Sequence, residues 1–232
     1  MKKSLITSLI ALAISPNLLA ASYTVEIQNL TQGTYYTPLL VSAHPSSVKL
    51  FSAGMAASSN LQAMAEGGDI SGLDVDMMNA GAKVVANPAA GLLAPGMKTT
   101  AELGDPGAAN TQLSIAAMLL PTNDGFVALN SLTLPTAPGT YTYMLNAYDA
   151  GTEANNEIRG GGAPGVAGMP VPPPLEALIG TGGTGVAAMA EGFVHIHRGV
   201  LGDQMITSGM SDINASSQRW LNPVARVTLT VK

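Results

Sequence analysis

Acidic side chains gather in two short turns of this sequence. The segment Pro121–Phe126 (PTNDGF) directly follows an apolar run and carries Asp124. The segment Tyr148–Glu153 (YDAGTE) places Asp149 and Glu153 on either side of a glycine. Ca²⁺ takes about six to eight oxygen ligands at about 2.3–2.6 Å, from carboxylates, carbonyls and water. If the two turns meet, the three carboxylates can share one calcium ion, which would also remove their mutual repulsion.

The same turns have an ordinary structural explanation. Asp and Asn are favoured in turns because their side chains form hydrogen bonds with nearby backbone groups. Neither segment has the spacing of an EF-hand calcium loop. Both interpretations stay open from the residues alone. Amide side chains that could complete a calcium shell, together with backbone carbonyls, are Asn123, Asn155 and Asn156.

A histidine pair is the second candidate for metal chemistry. His195 and His197 are two residues apart in an alternating segment (EGFVHIHR), so a strand would place both on one face, with Glu191 further back on that face. Two imidazoles can share a zinc ion, as in a metal-dependent hydrolase, but a convincing site needs a third ligand. Candidates for that ligand are His44 and Asp203. The competing interpretation is a polar strand face that packs against a glycine-rich segment or bonds to backbone.

Other catalytic patterns are missing from the sequence. It has no Gly-x-Ser-x-Gly motif and no cysteine, so neither a nucleophile elbow nor thiol chemistry is indicated. The segment Gly180–Gly185 (GTGGTG) resembles a phosphate-binding loop but lacks the Lys-Ser/Thr ending. We therefore expect a binding protein and not an enzyme, with the zinc hydrolase as the alternative.

The elements that must position these turns are mostly strands. Apolar and polar residues alternate in Tyr23–Leu30 and Val224–Val231, which is typical of half-buried strands. The apolar stretch that ends Gln112–Leu120 predicts a central strand covered on both faces. Further predicted strands are Tyr36–Ala43, Met97–Leu103, Thr140–Tyr148 and Glu191–Arg198, and the predicted helix is Ser58–Glu66.

This pattern predicts an all-β fold. We expect an antiparallel β-sandwich with one or two short helices and long Gly/Pro-rich loops. The longest such loop is residues 156–184, whose triple-glycine and triple-proline runs cannot be regular strand or helix.

The first residues have the pattern of a secretory signal peptide. Lys2 and Lys3 precede an apolar stretch, and small residues follow, with cleavage expected after Ala20 or Ala21. We therefore divide the chain into a signal peptide, residues 1–20, and one β-sandwich domain, residues 21–232. No later apolar run is long enough to span a bilayer, so no transmembrane segment is expected in the mature chain, which would be secreted or periplasmic.

The composition limits the classes of partner. The formal net charge is −5, and charged residues are 11% of the chain. An acidic chain without a basic stripe is a poor match for nucleic acid. Since there is no cysteine to form disulfides, a bound cation could supply stability in an exported protein. We expect a partner outside the cell or in the envelope, of unknown identity. A purely structural envelope protein without metal is a third possibility.

The two acidic turns resemble motifs of the spondin N-terminal domain family. PTNDGF is similar to that family's Ser-Pro-Ser-Pro-Asp-Trp stretch, and Asp149 to Glu153 (DAGTE) is similar to its Asp-Ala-Gly-Thr-Asp. The resemblance implies a C2-like β-sandwich with one calcium ion held by Asp124, Asp149 and Glu153. It does not imply a partner. Our own expectation is that the calcium is structural and that the protein mediates surface attachment or interaction. Glu153 stands where the family pattern has Asp, and Phe126 lies two residues after the aspartate, where the family motif has an adjacent Trp. The cysteines of animal members are missing.

Overall fold

The computed structural model of the protein describes residues 21–205 and 207–232. The signal peptide predicted over residues 1–20 lies outside the described residues. Within the described ranges, neither α-helix has the length and apolar character needed to cross a bilayer.

The described residues form ten β-strands and two short α-helices. The strands are β1 (Tyr23–Asn29), β2 (Tyr35–Tyr36), β3 (Leu40–His44), β4 (Lys83–Ala86), β5 (Lys98–Gly104), β6 (Gln112–Leu120), β7 (Gly125–Thr133), β8 (Gly139–Asp149), β9 (His195–Ile196) and β10 (Ala225–Val231). The helices are α1 (Ser59–Gly67) and α2 (Ser71–Asn79).

All the named strand pairings are antiparallel, and they form one continuous sheet. Its order is β4-β3-β6-β7-β8-β10-β1-β5, with β2 added beside β6 and β9 beside β8. The prediction of an all-β antiparallel fold with one or two short helices is therefore confirmed.

Strand β8 connects the two halves of the sheet. Its first part, Gly139–Leu145, pairs with β10, and its last part, Asn146–Asp149, pairs with β7. One hydrophobic cluster takes residues from both halves, for example Val227 of β10 and Val41 of β3. The two halves therefore share one core.

A second hydrophobic cluster lies on the opposite face of β6. Because side chains alternate along a strand, Ile115 faces the main core while Met118 lies in the second cluster. There Met118 belongs to the same group as Leu61 and Met64 of α1. This confirms the prediction that β6 is covered on both faces.

The predicted helix is confirmed as α1. The Ser58 Oγ accepts a hydrogen bond from the Leu61 N–H at 3.1 Å, which caps the first turn, and Gly68 ends the helix with φ of 71°. Helix α2 was not predicted, because Gly72 and three acidic or amide residues break its apolar period.

Several predicted boundaries differ from the structure. Strand β7 begins at Gly125, inside a segment that the sequence indicates as a turn. The strand predicted over Glu191–Arg198 is reduced to the two residues of β9. Residues 156–184 contain neither a β-strand nor an α-helix, as predicted, but only a short 3₁₀ turn at Pro173–Leu175.

Candidate metal centre

The sheet brings the two acidic turns together at one edge. Strands β6, β7 and β8 are consecutive antiparallel neighbours, so the ends of β6 and β8 lie on the same side. Gly125 of β7 lies opposite Asp149 of β8, and the Ala150 N–H donates to the Asp124 backbone carbonyl at 3.2 Å. The two acidic turns therefore meet, which is the condition on which the calcium prediction depends.

Asp124 is a fully buried carboxylate with one oxygen bound and one free. Its Oδ2 accepts hydrogen bonds from the backbone N–H groups of Thr152, at 2.8 Å, and Glu153, at 3.1 Å. Its Oδ1 is also buried and has no hydrogen-bond partner among the described residues. Such an oxygen is costly unless something else, a proton or a cation, compensates it.

Electrostatics make the ionised form of Asp124 unfavourable without a cation. Burial raises the pKa of Asp124 to about 7, and the neighbouring charge of Asp149 adds to the effect. In the part of the chain that the structure describes, no lysine or arginine forms a salt bridge with either carboxylate. Among the described residues, the pair therefore has no lysine or arginine to neutralise it.

Asp149 lies at the end of β8, and each of its two carboxylate oxygens accepts a hydrogen bond. It is 1% exposed, its Oδ1 accepts from the Gly151 N–H at 2.8 Å, and its Oδ2 accepts from the Asn155 Nδ2 at 2.6 Å. Carboxylate oxygens have about four lone-pair positions in all, so these two bonds leave acceptor capacity. Asp149 can therefore also bind a cation or a further donor.

Glu153 has hydrogen-bond partners of its own. Its Oε1 accepts from the Asn123 Nδ2 at 2.8 Å and from the Gly168 N–H. Burial raises the pKa of Glu153. The Glu153 backbone N–H thus contacts Asp124, whereas the Glu153 carboxylate contacts the 156–184 loop. That Asp124, Asp149 and Glu153 bind calcium together stays a prediction.

His195 lies directly across from Asp149 in the pairing of β8 with β9. Its Nδ1 is 3.0 Å from the Ile196 carbonyl, which can only accept, so Nδ1 carries the hydrogen in the neutral ring. The other nitrogen, Nε2, then has a free lone pair. It is buried, lies 3.6 Å from Asp149 Oδ1 and 3.9 Å from Glu191 Oε1, and has no hydrogen-bond partner in the described chain.

His197 has the opposite tautomer. The Gly199 N–H donates to its Nδ1 at 3.0 Å, so in the neutral ring Nε2 carries the hydrogen and lies 3.8 Å from Asp149 Oδ2. Burial, with a smaller contribution from His195, lowers the pKa of His197 to about 4. At neutral pH it is an uncharged donor beside Asp149.

Gly151 allows the histidine segment to approach the turn. Its φ is +68°, and a Cβ built there would clash with the Phe193 carbonyl oxygen. The Gly192 N–H also donates to the Gly151 carbonyl at 2.9 Å. Residues 191–195 therefore pack directly on the acidic turn, which positions Glu191 and His195 beside Asp149.

These contacts add Asp149 to Glu191 and His195, which the sequence had already placed on one predicted strand face. Among the described histidine and acidic residues, one ligand atom each of Asp149, Glu191 and His195 lie within 4.8 Å of one another. All three line a cavity of about 400 Å³. The alternation of residues 191–197 predicted that the histidines share a face, but nothing in the sequence placed Asp149 opposite them.

The two further zinc ligands considered from the sequence have other roles. The His44 Nε2 bonds to the Ser114 Oγ at 2.7 Å, inside the sheet. Asp203 accepts hydrogen bonds from the backbone N–H groups of Met205, Met210 and Ser211. Neither residue belongs to the three-residue cluster.

Comparison with known proteins adds one finding. A family model described as Spondin_N matches residues 23–158, more than half of the chain. Both acidic turns fall inside the matched range, whereas Glu191 and His195 fall after it. The chain has no match among curated proteins.

Proposed function

Because the chain belongs to the spondin N-terminal domain family, matched over residues 23–158, we propose that it is an exported binding protein stabilised by one calcium ion. The ion would sit between the turns that carry Asp124 and Asp149, with Glu153 as the third acidic ligand. Its role would be structural, and the protein would act by binding a partner outside the cell or in the envelope, not by catalysis.

One observation carries the calcium proposal. The Asp124 Oδ1 is buried and unpartnered among the described residues, next to a second buried carboxylate. Two buried carboxylates without a lysine or arginine partner repel each other and are poorly solvated, so a proton or a cation would stabilise the site. Oxygen donors in this number and charge suit a hard cation such as Ca²⁺.

Calcium at this position would fasten two segments that are distant in sequence. The turn after β6 and the turn after β8 are joined by hydrogen bonds from the Thr152 and Glu153 N–H groups to Asp124. A cation would add to these bonds and offset the carboxylate repulsion. Since the chain has no cysteine, such a cation would supply part of the stability that disulfides give other exported proteins.

Thermal unfolding with and without calcium tests the proposal. A ligand that binds only the folded state stabilises it by about 2.7 kcal/mol at 100 times its Kd. We expect calcium to raise the Tm of the chelator-treated protein, and Asp149→Asn to remove most of that increase. The matched control is Glu102→Gln, which changes an exposed strand carboxylate and should keep the full calcium response.

A further variant tests whether Glu153 binds the calcium ion together with Asp124 and Asp149. Glu153→Gln should weaken the calcium response if the carboxylate binds the ion, and should leave it unchanged if Glu153 only anchors Gly168 and Asn123. A Tm that is the same in calcium and in chelator for the unmodified protein would refute the structural calcium role as a whole.

A further inference from the structure

We propose that the cavity beside Asp149 contains a second metal site, in which Asp149, Glu191 and His195 bind Zn²⁺. The ligand atoms of these residues already lie within 4.8 Å of one another. The site differs from the proposed calcium position in its ligand chemistry and uses residues after the range matched by the family model. It shares only Asp149 with that position.

The spacing of the ligand atoms is close to what zinc requires. Two ligands at about 2.1 Å from a tetrahedral zinc are separated by roughly 3.4 Å. The His195 Nε2 lies 3.6 Å from Asp149 Oδ1 and 3.9 Å from Glu191 Oε1. The Asp149 and Glu191 ligand atoms lie within 4.8 Å of each other. The Glu191 side chain is 23% exposed, so it can rotate towards the other two ligands to close this wider gap.

The tautomer of His195 prepares it as a ligand. Metal-binding histidines usually donate the hydrogen of their second ring nitrogen to a carbonyl or carboxylate, which fixes the ring orientation. His195 does this through Nδ1 to the Ile196 carbonyl. Its Nε2 lone pair is thereby directed at the two carboxylates, where no protein hydrogen satisfies it among the described residues.

His197 provides a second, independent indication. Its side chain is 5% exposed, and its Nε2 lies 3.8 Å from Asp149 Oδ2 without a hydrogen-bond partner in the described part of the chain. A small inward shift of Asp149 onto a metal would leave His197 as the donor that orients this carboxylate. We assign His197 a positioning role and not a ligand role, because the Gly199 N–H occupies its Nδ1.

The ligand set favours zinc over calcium at this position. Calcium is bound by oxygen atoms, whereas zinc accepts imidazole nitrogen together with carboxylate oxygen as ligands. Arg198 also lies near Glu191: its guanidinium is 4.0 Å from Oε1, but its side chain is 85% exposed. An exposed arginine can leave when a divalent ion enters, and the cavity gives the ion access from solvent.

Zinc binding to the chelator-treated full chain tests this assignment. Isothermal titration with ZnCl₂ should give one equivalent, and Co²⁺ in place of zinc should give visible absorption bands of a low-coordinate nitrogen–oxygen site. His195→Asn should weaken zinc binding by about 100-fold or more, and Glu191→Gln and His197→Gln by about 10-fold. The matched control Glu102→Gln should bind as the unmodified protein does.

Two results would overturn the assignment. Zinc binding that is equally tight in the His195→Asn variant would show that other groups hold the ion. A chain that takes up no zinc at all, with circular dichroism showing it folded, would show that the cluster is only a hydrogen-bonding surface.

The zinc and calcium proposals fail independently. Asp124→Asn should lose the calcium response and keep zinc binding, because Asp124 is not in the zinc cluster. His195→Asn should lose zinc binding and keep the calcium response. Asp149→Asn should lose both zinc binding and the calcium response. A calcium response that survives while zinc binding is missing leaves the calcium proposal standing and overturns the zinc site.

Discussion

Replacing Asp124 with asparagine should stabilise the protein when calcium is removed. The pKa of this buried carboxyl is about 7 instead of the ordinary 3.8. At about 1.4 kcal/mol for each pH unit between the two values, ionising Asp124 costs the metal-free protein up to about 4 kcal/mol above pH 7. An asparagine side chain has nearly the same shape as aspartate but no charge, so most of that cost disappears.

The sign follows from proton binding. The folded protein holds the Asp124 proton more tightly than the unfolded chain, so its contribution to stability is complete below about pH 3.8 and is lost as the pH rises to about 7. The advantage of the Asp124→Asn variant should therefore be large at pH 8 and nearly absent at pH 4. For a domain of this size, up to about 4 kcal/mol corresponds to roughly 8–16 °C in Tm.

The assay is unfolding followed by circular dichroism in EDTA at pH 4 and pH 8. Comparing Asp124→Asn with the unmodified protein at each pH removes the contribution of His197, which changes in the opposite direction over a similar range. Asp105→Asn is the control, because Asp105 is an exposed loop residue that accepts a hydrogen bond from Gly107. Its effect should stay within about 1 kcal/mol at both pH values.

Calcium should reverse the order of stability. The unmodified protein should gain from calcium, since the ion compensates the two carboxylates, whereas the Asp124→Asn variant should gain little. Equal stability of the two proteins in EDTA at pH 8 would refute the argument that Asp124 carries an uncompensated buried charge.

Two more predictions concern the residues around Asp149. Gly151→Ala should lower the free energy of unfolding, measured by urea denaturation, by about 2–4 kcal/mol. The reason is that Gly151 has a φ of +68° and that the new Cβ would meet the Phe193 backbone. The control is Gly81→Ala: Gly81 has a φ of +79° but open space around it, so this variant measures the backbone part of the loss alone. His197→Gln should reduce the loss of folding stability in acid. The pKa of His197 is lowered to about 4, so its neutral ring stabilises the fold above about pH 6.5. This stabilisation, up to about 3 kcal/mol, is lost as the pH falls towards 4. An unchanged slope of stability against pH in this variant would contradict the second prediction.

The strands could be predicted where a single periodic pattern dominates. Strands β1, β6 and β10 follow the predicted boundaries within a residue or so, because alternation or a continuous apolar run distinguishes them from turns. Strand β7 could not be predicted. Its first residues follow directly on the PTND turn, and only pairing with β6 and β8 makes them extended.

The site could be predicted only in part. Local composition indicated the two acidic turns, and alternation indicated that His195 and His197 share a face. The contact between them depends on a two-residue strand, β9, that pairs with the end of β8. Sequence alone does not specify such a long-range register, so Asp149 could not be assigned to the histidine cluster.

The position of β8 has a consequence for how the protein unfolds. Since one continuous strand pairs with β10 along its first part and with β7 along its last, neither half of the sheet can separate without breaking the ladder of the other. The domain should behave as a single cooperative unit, and native-state hydrogen exchange should find the amides of β8 opening only with global unfolding.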